Sequence, residues 1–317
     1  MESLSTAARS MNIPLSVAIP DYLRDHRYEG RAVLPAVEAL QILSRSLPEG
    51  LPRCDPRIQE AGEFARLLPL DPKADTLNVF HEIAISPEGR HQSRLTTLHS
   101  GRQTQLNRRM THVAVVFSAV DQAATDRENG SADASRKGSP AWSSGERGEE
   151  PGYRADPVSD EAAESNGPVF TFSCERLYAD LVPFGPAYHN VVSEIGLTKT
   201  GARACVSGGG YPEAVGPLGS PFPFDAAMHM ACAWGQRYRN IVAFPVGFDR
   251  REIILPTSAG ETYLCRVFPL PDDGPALRFD VQLFDEDHRL VEIILGLRMR
   301  DISGGRLKPP AWVRKGA

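Results

Sequence analysis

The stretch His26-Arg27-Tyr28-Glu29-Gly30-Arg31-Ala32-Val33-Leu34-Pro35 runs directly into Ala36-Val37-Glu38-Ala39-Leu40-Gln41-Ile42-Leu43. A histidine is followed by glycine at the fourth position and proline at the ninth, and an apolar, helix-like run begins at once. The spacing gives one imidazole a defined address at the mouth of a turn. Gly30 lets the backbone bend there. Pro35 opens a helix at its first position, where a missing N–H leaves no intrahelical bond unmade.

Working outward, the chain has 317 residues, 41% of them hydrophobic, enough for one large domain or two ordinary ones. A formal net charge of −5 does not suit a general nucleic-acid binder. No apolar run approaches the length of a membrane span, and Met1–Ser10 lacks the apolar core of a secretory signal. Cys54, Cys174, Cys205, Cys232 and Cys265 are scattered with no CxxC spacing, which suits neither a disulfide framework nor a zinc site. These features predict a soluble, cytoplasmic protein with reduced thiols and no metal. It is either free-standing or a part of a longer chain.

Between positions 121 and 167 the composition turns to Ser, Gly, Asp and Glu with almost no aliphatic side chains. Such a stretch buries too little apolar surface to offset its ordering entropy and reads as a linker or long loop. On either side, strand-like runs surround one main apolar helix. The first part has Leu77–Ile85 and Thr111–Phe117. The second has Glu194–Leu197, Ala202–Val206, Thr262–Val267, Arg278–Phe284 and Leu290–Met299 around the helix-like Asp225–Trp234. The predicted class is α+β, an antiparallel sheet curled around a helix in each part. The divisions are 1–120, a linker at 121–167, 168–303, and a tail at 304–317.

Prolines upstream of Asp225 and the apolar run downstream place it in the first turn of the second helix. His229, four residues on, shares its face. Helix polarity favours an ionised Asp225 and burial the neutral acid, and the residues leave that choice open. Leu181-Val182-Pro183-Phe184-Gly185-Pro186-Ala187-Tyr188-His189 reads as a rigid turn. Phe244-Pro245-Val246-Gly247-Phe248 reads as a similar bend beside a strand.

Together these segments resemble, in order and spacing, the dehydratase domains of polyketide and fatty acid synthases. His26, Gly30 and Pro35 match the HxxxGxxxxP motif, and Asp225 and His229 match DxxxQ/H. Phe184-Gly185-Pro186 looks like the end of GYxYGP, and Phe244 to Phe248 resembles LPFxW. Leu181-Val182 stands where the family has Gly-Tyr, Phe184 replaces a tyrosine, and Phe248 replaces the final tryptophan. The departures fall on the substrate tunnel rather than on the acid–base residues.

The resemblance implies a double hotdog, two antiparallel sheets each wrapped around a central helix. It also implies a dyad of His26 as base and Asp225 as proton donor, with Gly30, Pro35 and His229 in support. Phe184, Gly185, Pro186, Tyr188, Phe244, Pro245 and Phe248 would line the tunnel. The implied reaction removes water from a 3-hydroxyacyl thioester to give the 2-enoyl thioester, and runs as hydration in reverse. No cofactor is expected beyond the phosphopantetheine arm of an acyl carrier protein. The expected partners are that carrier or other synthase domains, and a homodimer, with no nucleic acid and no membrane span. A backbone N–H near Gly30 or at the helix start would polarise the thioester carbonyl. Arg90, Arg94, Arg102, Arg108 and Arg109 form either a dock for an acidic carrier or an ordinary solvated strand face. Two alternatives remain: a cyclase or double-bond isomerase on the same fold, and a non-catalytic module that binds acyl carriers.

Overall fold

The apolar run after Pro35 is helix α1, Ala36–Arg45. A computed structural model of the chain describes residues 9–49, 54–87, 89–100, 107–119, 168–271, 274 and 276–315. Pro35 sits one residue earlier than expected. It is the N-cap, extended at φ −61° and ψ 145°, and its carbonyl accepts the first helical bond from Ala39 N–H at 3.1 Å. Val37, Leu40 and Leu43 of α1 are buried. The second helix, α2, is Phe222–Tyr238, and its residues from Phe222 to Gln236 are all buried. That is why it carries small residues and methionines on every side.

Strands of the first half are β1 (Arg9–Ala18), β2 (Arg27–Tyr28), β3 (Arg31–Ala32), β4 (Cys54–Phe64), β5 (Thr76–Ile85), β6 (His91–Ser100) and β7 (Asn107–Ala119). Those of the second are β8 (Phe170–Phe172), β9 (Ile195–Thr198), β10 (Gly201–Ser207), β11 (Phe244–Ile253), β12 (Thr262–Pro269), β13 (Leu277–Phe284) and β14 (Leu290–Arg300). Twelve of them form one sheet in the order β1-β5-β6-β7-β4-β11-β14-β13-β12-β10-β9-β8, and β2 pairs with β3. Helix α1 packs on β6 and β7, and α2 on β10, β12 and β13. Each half thus sheathes its own helix, and the two sheets join edge to edge where β4 runs antiparallel to β11. The expected linker, 121–167, lies outside the described residues.

Two strands that the sequence hides have visible reasons. β1 carries Pro14, tolerated because β1 is the outermost strand. β4 holds Pro56 and shifts register against β7 between Asp55 and Gln59 and again between Glu60 and Glu63, so its alternation is broken. The Phe244–Phe248 segment is not a bend beside a strand. It begins β11, with a bulge between Pro245 and Gly247.

The 304–317 segment carries a short helix, α3 (Ala311–Lys315). Val313 is fully buried, and Trp312 packs edge-on against Phe172 at 5.5 Å. None of the five cysteines is bonded to another. Among the described residues, no helix is long and apolar enough to cross a membrane.

Candidate active site

A 3-10 turn, Asp21–Asp25, delivers His26 at its C-cap. The hairpin β2–β3 follows, closed by Glu29 and Gly30 at φ 47° and 76°. Two residues of positive φ make the tight turn that suits the twist of paired strands, and glycine is favoured at the second. The hairpin returns Val33 beside His26. Val33 N–H donates to the His26 carbonyl at 2.9 Å, and His26 Nδ1 lies 3.1 Å from the Val33 carbonyl. A carbonyl only accepts, so Nδ1 carries the proton and a neutral ring presents Nε2 as a base. Burial lowers the His26 pKa, opposed in part by Asp225. The ring is therefore neutral near pH 7.

Asp225 lies in the first turn of α2, as expected, and both it and His229 are buried. Asp225 Oδ2 is 3.0 Å from His229 Nε2. The contact lacks hydrogen-bond geometry, and both atoms are left without a hydrogen-bond partner among the described residues. A polar atom in that condition is costly unless a ligand or water meets it. The other nitrogen, His229 Nδ1, is 3.4 Å from Tyr178 Oη, which accepts from Val191 N–H at 2.8 Å. Tyr178 stacks on His189 with centroids 4.2 Å apart. These supports went unread in the sequence, because nothing local marks a tyrosine 51 positions away as a partner of His229.

One cavity of about 550 Å³ is lined by His26, Asp225 and His229 together. Phe184, Phe244 and Pro245, three of the residues read as tunnel, also line it, and so does Gly30. The sequence missed Tyr28, Val182, Met228, Cys232 and Gln236, which share the wall. Phe184 sits 4.4 Å from the His26 ring, centroid to centroid.

Four expected tunnel residues do not line the cavity, and Pro35 does not either. Phe248 is fully buried and packs on Phe64 and Phe224, because the bulge in β11 turns it toward the core. Tyr188 is fully buried beneath His26, 5.1 Å away between ring centroids. Gly185 and Pro186 belong to a docking contact instead. Gly185 N–H donates to the Asp25 carbonyl at 2.8 Å, and Ala187 N–H to Asp25 Oδ2 at 3.0 Å. A Cβ on Gly185 would run into the Asp25 carboxyl. The second-half turn is thereby fastened to the residue before His26.

Of the arginines read as a dock, those among the described residues do not line the cavity. Arg90 pairs with Glu60 at 3.4 Å, Arg109 pairs with Glu82 and covers the Phe80 ring, and Arg102 lies outside the described residues. Instead Arg27, Arg66, Arg300 and Lys308, all exposed, lie on the cavity wall.

No protein-family model and no curated protein matches the chain. Solved structures do. The dehydratase domain of a mycocerosic acid synthase-like polyketide synthase (PKS) aligns at TM-score 0.63 and 17% identity, over 95% of this chain and 97% of that one. The dehydratase domain of RzxB from Pseudomonas fluorescens aligns at 0.62 and 16%, over 90% and 94%. That from the CurF module of curacin polyketide synthase aligns at 0.64 and 11%, over 94% and 95%. The likeness extends over nearly the whole of each chain, and at these identities it is one of architecture: this protein has the double-hotdog fold of polyketide synthase dehydratase domains.

Proposed function

We propose that this chain is a dehydratase that removes water from a 3-hydroxyacyl thioester carried by an acyl carrier protein. The observation that carries the reading is the convergence of His26 and Asp225, 199 positions apart, on one cavity. A non-catalytic module would have no need of a neutral imidazole and a carboxyl on one internal surface.

The thioester carbonyl accepts from a backbone N–H at Gly30, or from the start of α1 at Ala36, both in the cavity wall. That polarisation makes the C2 proton more acidic. His26 Nε2 takes the C2 proton while the protonated Asp225 carboxyl gives its proton to the C3 oxygen. The C3–O bond breaks, the C2–C3 double bond forms, and water leaves. Transfer of the proton from His26 back to Asp225, directly or through that water, restores the starting state. His229 orients Asp225 from the next turn of α2. An acidic carrier would dock on the rim formed by Arg27, Arg66, Arg300 and Lys308, with long-range attraction speeding its approach.

The test is turnover of carrier-bound 3-hydroxyacyl thioesters to the 2-enoyl product. His26→Ala is expected to lose about 100- to 10,000-fold in rate. Wild type indistinguishable from His26→Ala would overturn the reading.

A further inference from the structure

The cavity continues well past the dyad along α2. Residues Asp225, His229, Cys232 and Gln236 follow one another at steps of four, three and four, so they form a single stripe on one helix face. All four line the cavity. At 1.5 Å per residue, Gln236 lies about 16 Å from Asp225 along the helix axis. Most neighbours at that end are apolar: Leu181, Val182, Val242 and Ala243.

Gln236 is 1% exposed, and its amide orientation is settled by its partners. Nε2 donates to the Leu181 carbonyl at 3.1 Å and to Cys232 Sγ at 3.4 Å. A carbonyl cannot donate, so the amide oxygen does not face Leu181. That oxygen accepts no hydrogen bond from any described residue. An unfilled acceptor in an apolar wall favours a ligand that brings a donor and penalises one that brings a methylene.

We infer that Gln236 is a specificity residue: its Oε1 accepts a hydrogen bond from a hydroxyl on the far part of the acyl chain. The substrate class is then a long, oxygenated acyl chain rather than a plain alkyl one. This rests on the dehydratase reading for the placement of the reacting carbons. Cys232 lies between dyad and amide as a small, weakly polar spacer that leaves room for the chain.

The experiment uses pantetheine thioesters of 3-hydroxyacyl chains in two matched pairs. In the long pair, one chain ends in a methyl group and the other in a hydroxyl at the depth of Gln236. In the short pair, neither reaches it. The wild-type enzyme is expected to favour the hydroxyl-ended long chain by about five- to tenfold in kcat/KM, and to treat the short pair alike. Gln236→Met is expected to abolish or reverse that preference, read as the ratio of kcat/KM between the two long chains and set against the same ratio for the short pair. Where the chains turn over, equal wild-type rates on the long pair, or a preference that survives Gln236→Met, would overturn the inference. Calorimetric binding of the same two long tails on non-reacting acyl pantetheines gives a readout free of turnover. A preference there with no dehydration of any chain keeps the Gln236 site and overturns the dehydratase reading; no preference there overturns the Gln236 site alone.

Discussion

His26 is held as one tautomer by one carbonyl, and the direction of its pKa shift has a kinetic signature. The shift is downward because burial disfavours the imidazolium. A base works only when unprotonated, so the acidic limb of kcat/KM is expected below the ordinary histidine value of 6.5. A pH–rate profile checks this, and a limb at or above 6.5 would remove His26 from the role of base. Asp225→Asn retains size but cannot give up an acidic proton, and a loss of about 100-fold or more in kcat is expected. At this scale the sequence was legible where chemistry sits in a local pattern. His26 and Asp225 each carry a signature within ten positions. Tyr188 and Phe248 misled because an aromatic beside a motif reads the same whether it faces a cavity or the core. Burial decides that, and burial depends on a bulge and on a docked turn.

The docked turn is the informative element. Phe184-Gly185-Pro186 comes from the second half, yet it bonds to Asp25, the residue before His26. Gly185→Ala would force its methyl against the Asp25 carboxyl. The expected loss is about 1–3 kcal/mol of stability, read as a lower urea midpoint. A fall in kcat with little change in KM should accompany it, since His26 is displaced rather than the acyl tail. The sequence showed that this turn is rigid but not what it fastens. Helices α1 and α2 were legible because each is a long apolar run with a proline at its start. β7 was legible through its β-branched content and β5 through its partial alternation. β1 and β4 were not, because Pro14 at an edge and two register shifts erase the period of two.

For the molecule as a whole, the β4–β11 seam joins the halves, and a buried ion pair lies beside it, between β11 and β14. Arg251 Nε donates to Glu292 Oε1 at 2.7 Å, both side chains being almost fully buried. The guanidinium covers the Phe224 ring of α2 at 4.7 Å. Glu292→Gln leaves that cation without its counter-charge, and a loss of about 3–5 kcal/mol is expected in denaturant unfolding. Replacing both, as Arg251→Met with Glu292→Leu, is expected to cost much less. In the first half, buried His81 sits between Ser46 Oγ at 2.8 Å and Ser93 Oγ at 2.9 Å. Burial pushes its pKa down from 6.5 to about 4. The unfolded chain takes up this proton and the folded one resists it, so stability is complete above 6.5 and falls as pH drops from there through 4, by roughly 3 kcal/mol at most. His81→Gln is expected to flatten that part of the stability–pH curve.

The seam has one more consequence. His26 belongs to one half and Asp225 to the other, so the distance between base and acid is set by how the halves sit together rather than by either alone. Turnover is therefore a gauge of alignment. In rising urea, the reaction should fade before circular dichroism registers any loss of strand or helix, and the gap between the two curves would measure how much slippage the chemistry tolerates.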